Sequence, residues 1–397
     1  MTSATTSTTY TTGSGYLRAE DCHLDDLLAI IGAGTDLAQY PHASEVAHGV
    51  LLYDADAVRV AMTDDDARRA VHAEVARALA DGPGITVFRG AFQHDVVDRA
   101  SEVFEQVIAQ EKAAGRAAGD HFAAPGANDR VWNALEKLAV ADPEAFVDYY
   151  ANDVLALAAS SWLGPGYQVT SQVNVVNPGG AGQTVHRDYH LGFQSPKTSA
   201  EFPAHVHALS PVLTLQGAVA HCDMPVESGP TLYLPHSQKY PHGYLAYWLP
   251  EFQEYFVANH VQLPLAKGDA VFFNPALFHA AGSNHTTDVR RMANLLQVSS
   301  AFGRAMETVD RRRVVEAVYP ALLARKAAGM PPARVGDVVA ASAEGYAFPT
   351  NLDRDQPVNG MSPETQADLV HRALGEAVTA EELSERLAAQ AHRTLSH

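Results

Sequence analysis

Cysteine is nearly absent from this chain of 397 residues, which carries only Cys22 and Cys222. Two thiols so far apart make neither a disulfide scaffold nor a C-x-x-C metal or redox motif, and a reducing cytoplasm is the expected compartment. Basic residues are in deficit: 28 Lys and Arg face 46 Asp and Glu, a formal net charge of −18 with a pI near 5.4. That balance argues against the extended basic face that a nucleic acid or an anionic membrane would need. No run of about 18 or more apolar residues occurs, so no membrane span is expected. The opening "MTSATTSTTYTTGSG" has neither a basic n-region nor an apolar h-region and is no secretory signal. Its bias toward Thr, Ser and Gly predicts a disordered tail over 1–15. What the chain does have is apolar bulk: 47% hydrophobic and 19% charged residues suit a soluble globular protein with a sizeable core.

The helical spacing of Val71, Val75 and Leu79 stops at "DGPG", and "ITVFRGAF" predicts a strand from Ile85. A helix over 95–114 follows, and "ADPEAFVDYYANDVLALAASSWLG" reads as one long helix between Pro143 and Gly164. From Tyr167 the texture changes to short β-branched and aromatic runs separated by Gly, Pro and Asn turns, with no room for crossover helices between most of them. The expected fold is α+β, a mainly antiparallel β core with flanking helices. Its form would be a cupin-like jelly roll, or double-stranded β-helix, rather than a βαβ sheet. Helical texture returns near Ala305, and Glu382 and Arg386 sit at i and i+4 on the last helix. The organisation expected is a helix-flanked core over 16–304 and a helical extension over 305–397, packed on or beside it.

Within "QTVHRDYHLGF", His186 and Asp188 stand two residues apart, and in a strand such residues project from the same face. Spacing alone decides nothing in a chain with 19 histidines, because His23-Leu24-Asp25 and His221-Cys222-Asp223 repeat it. The first of these falls at a helix start, and the second ends a strand at a proline turn. Two imidazoles and one carboxylate on one side of an octahedron make the facial triad of non-haem Fe(II) oxygenases, with three positions open. The second histidine would be His279, in "KGDAVFFNPALFHAAGSN", with His285 as the fallback. Arg290, on the returning strand 11 residues past His279, suits the free carboxylate of a bound keto acid. Its neighbour Arg291 would face the opposite side of that strand. The glycine-rich "NPGGAGQ" lacks a phosphate-loop pattern and reads as a flexible loop over the site.

Taken together, H-x-D, the downstream "GD-x-V-F-F-x(5)-H-x-A-G-x-N", the following Arg and "CDMPVESGPTLYLPHSQ" resemble the phytanoyl-CoA dioxygenase family over about 85–301. The resemblance implies a jelly roll, Fe(II), O2, and 2-oxoglutarate as co-substrate. His186, Asp188 and His279 would be the metal ligands and the catalytic centre, and Arg290 would bind the distal carboxylate of 2-oxoglutarate. Gln172 and Asn174 would be further contacts by analogy. Two residues past His279, where relatives often carry a serine that holds the same carboxylate, this chain has Ala281; either Ser283 or Thr214 substitutes, or 2-oxoglutarate binds more weakly. The carboxylate ligand Asp188 argues against halogenation.

The reaction so implied is hydroxylation of a small molecule with release of succinate and CO2. An amino-acid-like compound or a secondary metabolite fits this acidic chain better than an acyl-CoA. Desaturation and cyclisation stay open, as do the oligomeric state (a homo-oligomer included) and the role of the C-terminal helices. Two rival readings use the same scaffold. One is a cupin-like isomerase or hydrolase that needs no keto acid. The other is a non-catalytic ligand-binding jelly roll.

Overall fold

A computed structural model describes residues 15–115, 127–357 and 360–397. The expected tail, save Gly15, lies outside them. The strands are β1 (Glu45–Ala47), β2 (Val50–Asp54), β3 (Ile85–Arg89), β4 (Asn128–Val131), β5 (Gln168–Val176), β6 (Thr214–Ala220), β7 (Leu232–Leu234), β8 (Val261–Gln262), β9 (Ala270–Phe273), β10 (Phe278–Ala280) and β11 (Arg291–Ser299). Among the described residues they form an eight-stranded major sheet, ordered β1-β2-β3-β9-β6-β11-β5-β4, and a minor sheet ordered β10-β7-β8. Every pairing is antiparallel except β2 with β3. The mainly antiparallel double-sheet core is therefore present, with helices packed on one face of its larger sheet.

Side-chain alternation assigns the two faces of that sheet. In β11, Met292, Leu296 and Val298 enter the largest apolar cluster, shared with Val169, Val173 and Val175 of β5 and with the helices. The opposite parity (Arg291, Ala293, Leu295, Gln297, Ser299) faces the minor sheet. Registers Gln297↔Gln216, Ser299↔Thr214, Leu295↔Gln172 and Ala293↔Asn174 put Thr214, Gln216, Gln172 and Asn174 on that inner face too. A second apolar cluster, including Ile85, Val87, Tyr233, Val271 and Phe273, joins the two sheets at one side of the interior. The interior is thus greasy on one side and polar on the other.

The single helix expected between Pro143 and Gly164 is two, Pro143–Tyr150 and Asp153–Leu163. Asn152 breaks it: its Oδ1 accepts the Leu155 N–H at 2.9 Å as an N-cap, and its Nδ2 donates to Ala91 O at 2.9 Å. A cap plus a buried tertiary bond outweighs helix propensity at one residue. Asn152→Ala should cost roughly 0.5–2 kcal/mol, because it removes the cap and one of the two donors to the Ala91 carbonyl, which keeps Arg59 Nη2 at 2.8 Å. Chemical denaturation would check this, and an unchanged midpoint would reject it. Downstream, buried Val314, Val318, Leu322, Val338, Leu369 and Leu387 belong to the same cluster as β5, so one apolar core runs from the sheet into residues 311–394. No described helix is long and apolar enough to cross a membrane.

Candidate metal centre

The backbone around His186 is an extended segment that pairs only once with β10. His186 N–H donates to His279 O at 2.9 Å, and His279 N–H donates to His186 O at 3.2 Å. Two residues on, Asp188 N–H donates to Pro275 O at 3.0 Å. The chain then turns sharply, with Tyr189 and His190 at φ of 63° and 45°. Left-handed backbone at bulky residues costs on the order of 1 kcal/mol or more, so the surrounding contacts hold this bend. Arg187, between the two candidate ligands, points the other way and is buried against Tyr244 and Phe278, donating to Ser237 O and Tyr240 O. The alternation expected of H-x-D therefore holds without a regular strand.

Ligating atoms of His186, Asp188 and His279 lie within 4.8 Å of one another. His279 Nε2 is 3.3 Å from Asp188 Oδ2, and His186 Nε2 is 3.7 Å from Asp188 Oδ1. Each imidazole has its Nδ1 against a main-chain carbonyl, Thr184 O at 2.8 Å and Leu277 O at 2.9 Å. Those bonds fix the tautomer with hydrogen on Nδ1 and leave both Nε2 lone pairs facing the carboxylate, the orientation a metal-binding histidine needs. Burial and the neighbouring imidazole push the His186 pKa down, which favours the neutral ring. For Asp188 burial acts upward, but His186, His279 and the Gln216 amide outweigh it and hold the carboxyl well below its usual range. Gln216 Nε2 donates to Asp188 Oδ2. The side chains of His186 and Asp188 keep 25% and 19% exposure against 5% for His279, so the site is open on one side. Two neutral nitrogens and one anionic oxygen, oriented by second bonds, fit Fe(II) with open coordination positions.

The two repeats of H-x-D go elsewhere. His23 precedes the helix Leu24–Ile31. His221 is buried on the helix side, between Ser101 Oγ at 2.8 Å and Tyr149 OH at 2.9 Å, while Asp223 accepts the Lys267 N–H. Asp223→Ala should therefore leave iron stoichiometry unchanged, and loss of metal from that folded variant would move the centre. His285, the fallback ligand, is exposed, with its N–H on Glu227 O.

The arginine is where the expected side is corrected. Arg290 turns away from the interior to pair with Glu105 of the helix His94–Ala113 and with Asp129 of β4 at 3.2 Å. Arg291 has inner-face parity and is 7% exposed. Its Nη1 donates to Ser228 O at 3.2 Å and Gly282 O at 3.3 Å, and no carboxylate among the described residues pairs with it. Burial pushes its pKa down to about 10, so it remains charged at neutral pH. Tyr233, which is opposite His279 in the β7–β10 register, feels the Arg291 charge. Buried Arg187 and Arg311 also sit on carbonyls, but neither faces this interior.

Of the residues considered in place of the missing serine, Ser283 already accepts the Gly182 N–H at 2.8 Å. Thr214 pairs with Ser299, eight residues along β11 from Arg291, or roughly 26 Å at strand rise. Thr214 is therefore too far along the strand to share a carboxylate with Arg291, whereas Ser283 follows Gly282, whose carbonyl Arg291 contacts, and keeps its O–H free to donate. Gln172 Oε1 accepts from Arg130, and the Gln172 amide reaches toward Gln297 at 3.5 Å. The Asn177–Gln183 loop is tied down: Gly179 and Gln183 donate to Asn284 O and Ala281 O, and Gly180 O accepts from Asn284. A Cβ on Gly182 would come within 2.3 Å of Ala281 O, so the close approach demands glycine there. Gln216 and Glu307, which also face the interior, had no motif to announce them. The signal for Gln216 is its i+2 relation to Thr214 in "TLQGAVA".

A jelly roll with two imidazoles and one carboxylate on its inner wall defines a mononuclear metalloenzyme of the facial-triad kind. Residues 80–292, more than half of the chain, match the family described as phytanoyl-CoA dioxygenase (PhyH), and the chain belongs to that family. It is an enzyme of the Fe(II)/2-oxoglutarate-dependent oxygenase superfamily. No curated protein matches by sequence. Among solved structures, the chain is similar to the non-haem α-ketoglutarate-dependent epimerase SnoN from nogalamycin biosynthesis, at 20% identity and TM-score 0.37, over 60% of this chain and 84% of that one. It is also similar to AviO1 from Streptomyces viridochromogenes Tue57, at 20% identity and TM-score 0.42, over 60% and 97%. HygX from Streptomyces hygroscopicus, solved with nickel, 2-oxoglutarate and hygromycin B bound, matches at 16% identity and TM-score 0.40, over 59% and 90%.

Proposed function

We propose that this protein hydroxylates a small-molecule substrate, with His186, Asp188 and His279 holding Fe(II) and Arg291 holding the distal carboxylate of 2-oxoglutarate. The observation that carries the reading is the pairing of a preoriented triad with a buried guanidinium that lacks a carboxylate partner on the same inner wall. When bound, iron and 2-oxoglutarate supply an oxidant able to take hydrogen from an unactivated C–H bond, with succinate and CO2 as by-products. The chain's own part is positional. Thr184 O and Leu277 O aim the two imidazoles, and Gln216 steadies the carboxylate. Phe273, 4.9 Å from the His279 ring, and Tyr233, 5.3 Å from Phe273, close one side of the site to water. Arg291 selects an acid of the right length by offering two parallel N–H donors.

Anaerobic addition of Fe(II) and 2-oxoglutarate should produce a visible metal-to-ligand charge-transfer band, and aerobic turnover should release succinate. Iron-loaded protein without that band would reject the co-substrate and favour a cupin-like isomerase or hydrolase.

A further inference from the structure

Buried polar atoms in a folded protein nearly always have a partner, so a cluster without one calls for a ligand. Among the described residues, fifteen buried side-chain nitrogens and oxygens lack one, and six of them belong to the inner wall near the metal centre: Asn174 Oδ1, Tyr189 OH, Thr214 Oγ1, Gln216 Oε1, Ser299 Oγ and Glu307 Oε2. Four of these residues are at least nine-tenths buried: Tyr189 at 4% exposure, Thr214 at 0%, Gln216 at 7% and Ser299 at 1%.

The wall is continuous. Asp188 meets Gln216, which lies beside Gln297 in register; Gln297 faces the Gln172 amide, and Gln172 accepts from Arg130. Beyond them stands Glu307, from the irregular segment after β11. Its Oε1 accepts the Asn133 N–H at 2.8 Å, which fixes the carboxyl and leaves Oε2 unused. The Gln172 amide and Arg130 lie beside the Glu307 carboxyl, and Tyr189 follows Asp188 in the chain. Arg130 also stacks over the Trp132 ring at 4.7 Å, and Phe193, which is 55% exposed, sits edge-on to Tyr189.

The character of the unpaired atoms selects a chemistry. They are three hydroxyls, two amide oxygens and one carboxylate oxygen, all acceptors and half of them donors as well. An anionic substrate would meet Asp188 and Glu307. A purely apolar one would leave every one of these atoms unpaired. A cationic one would meet Arg130 beside the Glu307 carboxylate. Alcohol groups donate and accept at once and carry no charge. Resting on the iron and 2-oxoglutarate reading above, we infer that this wall binds a neutral polyhydroxylated ring, of sugar or cyclitol type, whose hydroxyls fill Glu307 Oε2 and the Thr214, Ser299 and Tyr189 hydroxyls.

The test uses full-length protein loaded with Zn(II) and 2-oxoglutarate, so that no turnover occurs. Saturation-transfer NMR is run with five probes at millimolar concentration: myo-inositol and sucrose as neutral polyols, glucuronate as an acid, glucosamine as an amine and octanoate as an apolar chain. The neutral polyols should bind in preference to the others. Glu307→Gln, which keeps an acceptor for Asn133, and the isosteric Thr214→Val should each weaken them by about tenfold or more. The second variant serves if the first does not fold. Preference for glucuronate, glucosamine or octanoate, no polyol signal, or polyol binding untouched in a folded variant overturns the inference. The charge-transfer band with Fe(II) is read separately: polyol binding without that band rejects the co-substrate, and the band without polyol binding rejects only the ring.

Discussion

His186→Ala should reduce Fe(II) affinity by more than about 100-fold and abolish succinate release. Second bonds to metal-binding histidines already account for about 10- to 100-fold in affinity, and losing a ligand outright removes more. Three protein donors would hold the ion in the proposed site, and without one of them only His279 Nε2 and an Asp188 oxygen would remain. The fold should survive, because the link between this segment and β10 is made by main-chain atoms: His186 N–H to His279 O, and His279 N–H to His186 O. Alanine keeps both bonds. The ring itself is partly exposed, so its removal leaves no closed cavity in the apolar core. Anaerobic reconstitution followed by metal analysis, with near-ultraviolet circular dichroism as the measure of folding, checks the expectation. One equivalent of iron retained by the folded variant would mean that the ion sits elsewhere.

The cluster of His186, Asp188 and His279 could be read from the chain because each of the three carries a local signal. His186 and Asp188 alternate in an extended stretch, and His279 ends a β run before a Gly-Ser-Asn turn. What separates them from His221 and Asp223 is tertiary. His221 faces the helices, where Ser101 and Tyr149 occupy both of its ring nitrogens. The jelly roll was legible for a similar reason, since "QVTSQVNVV" and "RMANLLQVS" each alternate between an apolar and a polar face. The break at Asn152 was not legible, because it depends on an amide reaching Ala91 sixty-one residues away in sequence. Glu307 lay beyond reach altogether. It sits in an irregular segment without periodicity, and its role arises only when Asn133 and Gln172 are brought beside it.

Arg291→Gln should weaken 2-oxoglutarate by roughly 2–5 kcal/mol, on the order of 30- to several-thousand-fold, while Arg290→Gln changes it by less than about twofold. Both substitutions remove one guanidinium from adjacent positions, so the contrast isolates the face of the strand. The alternation of β11 decides that face: Met292, Leu296 and Val298 enter the helix-side core, which carries Arg290 outward with them and Arg291 inward with Gln297. Counting forward from His279 selects Arg290, whereas counting backward from the apolar residues of the strand selects Arg291. The second count carries more weight, because a one-residue slip would turn every side chain of a nine-residue strand to the wrong face. Arg290 already has Glu105 and Asp129 as partners at a 40% exposed position, where an ion pair contributes about 0–1 kcal/mol. Arg291 is different in kind. It is a buried cation held only by two carbonyl oxygens, and an incoming carboxylate would supply the counter-charge it lacks. Arg291→Lys should recover part of the loss, since the charge returns without the two-pronged geometry. Titrating the charge-transfer band with 2-oxoglutarate measures all three variants. If Arg290→Gln lost the band and Arg291→Gln kept it, the co-substrate would have to lie on the helix side of the sheet, away from the metal centre.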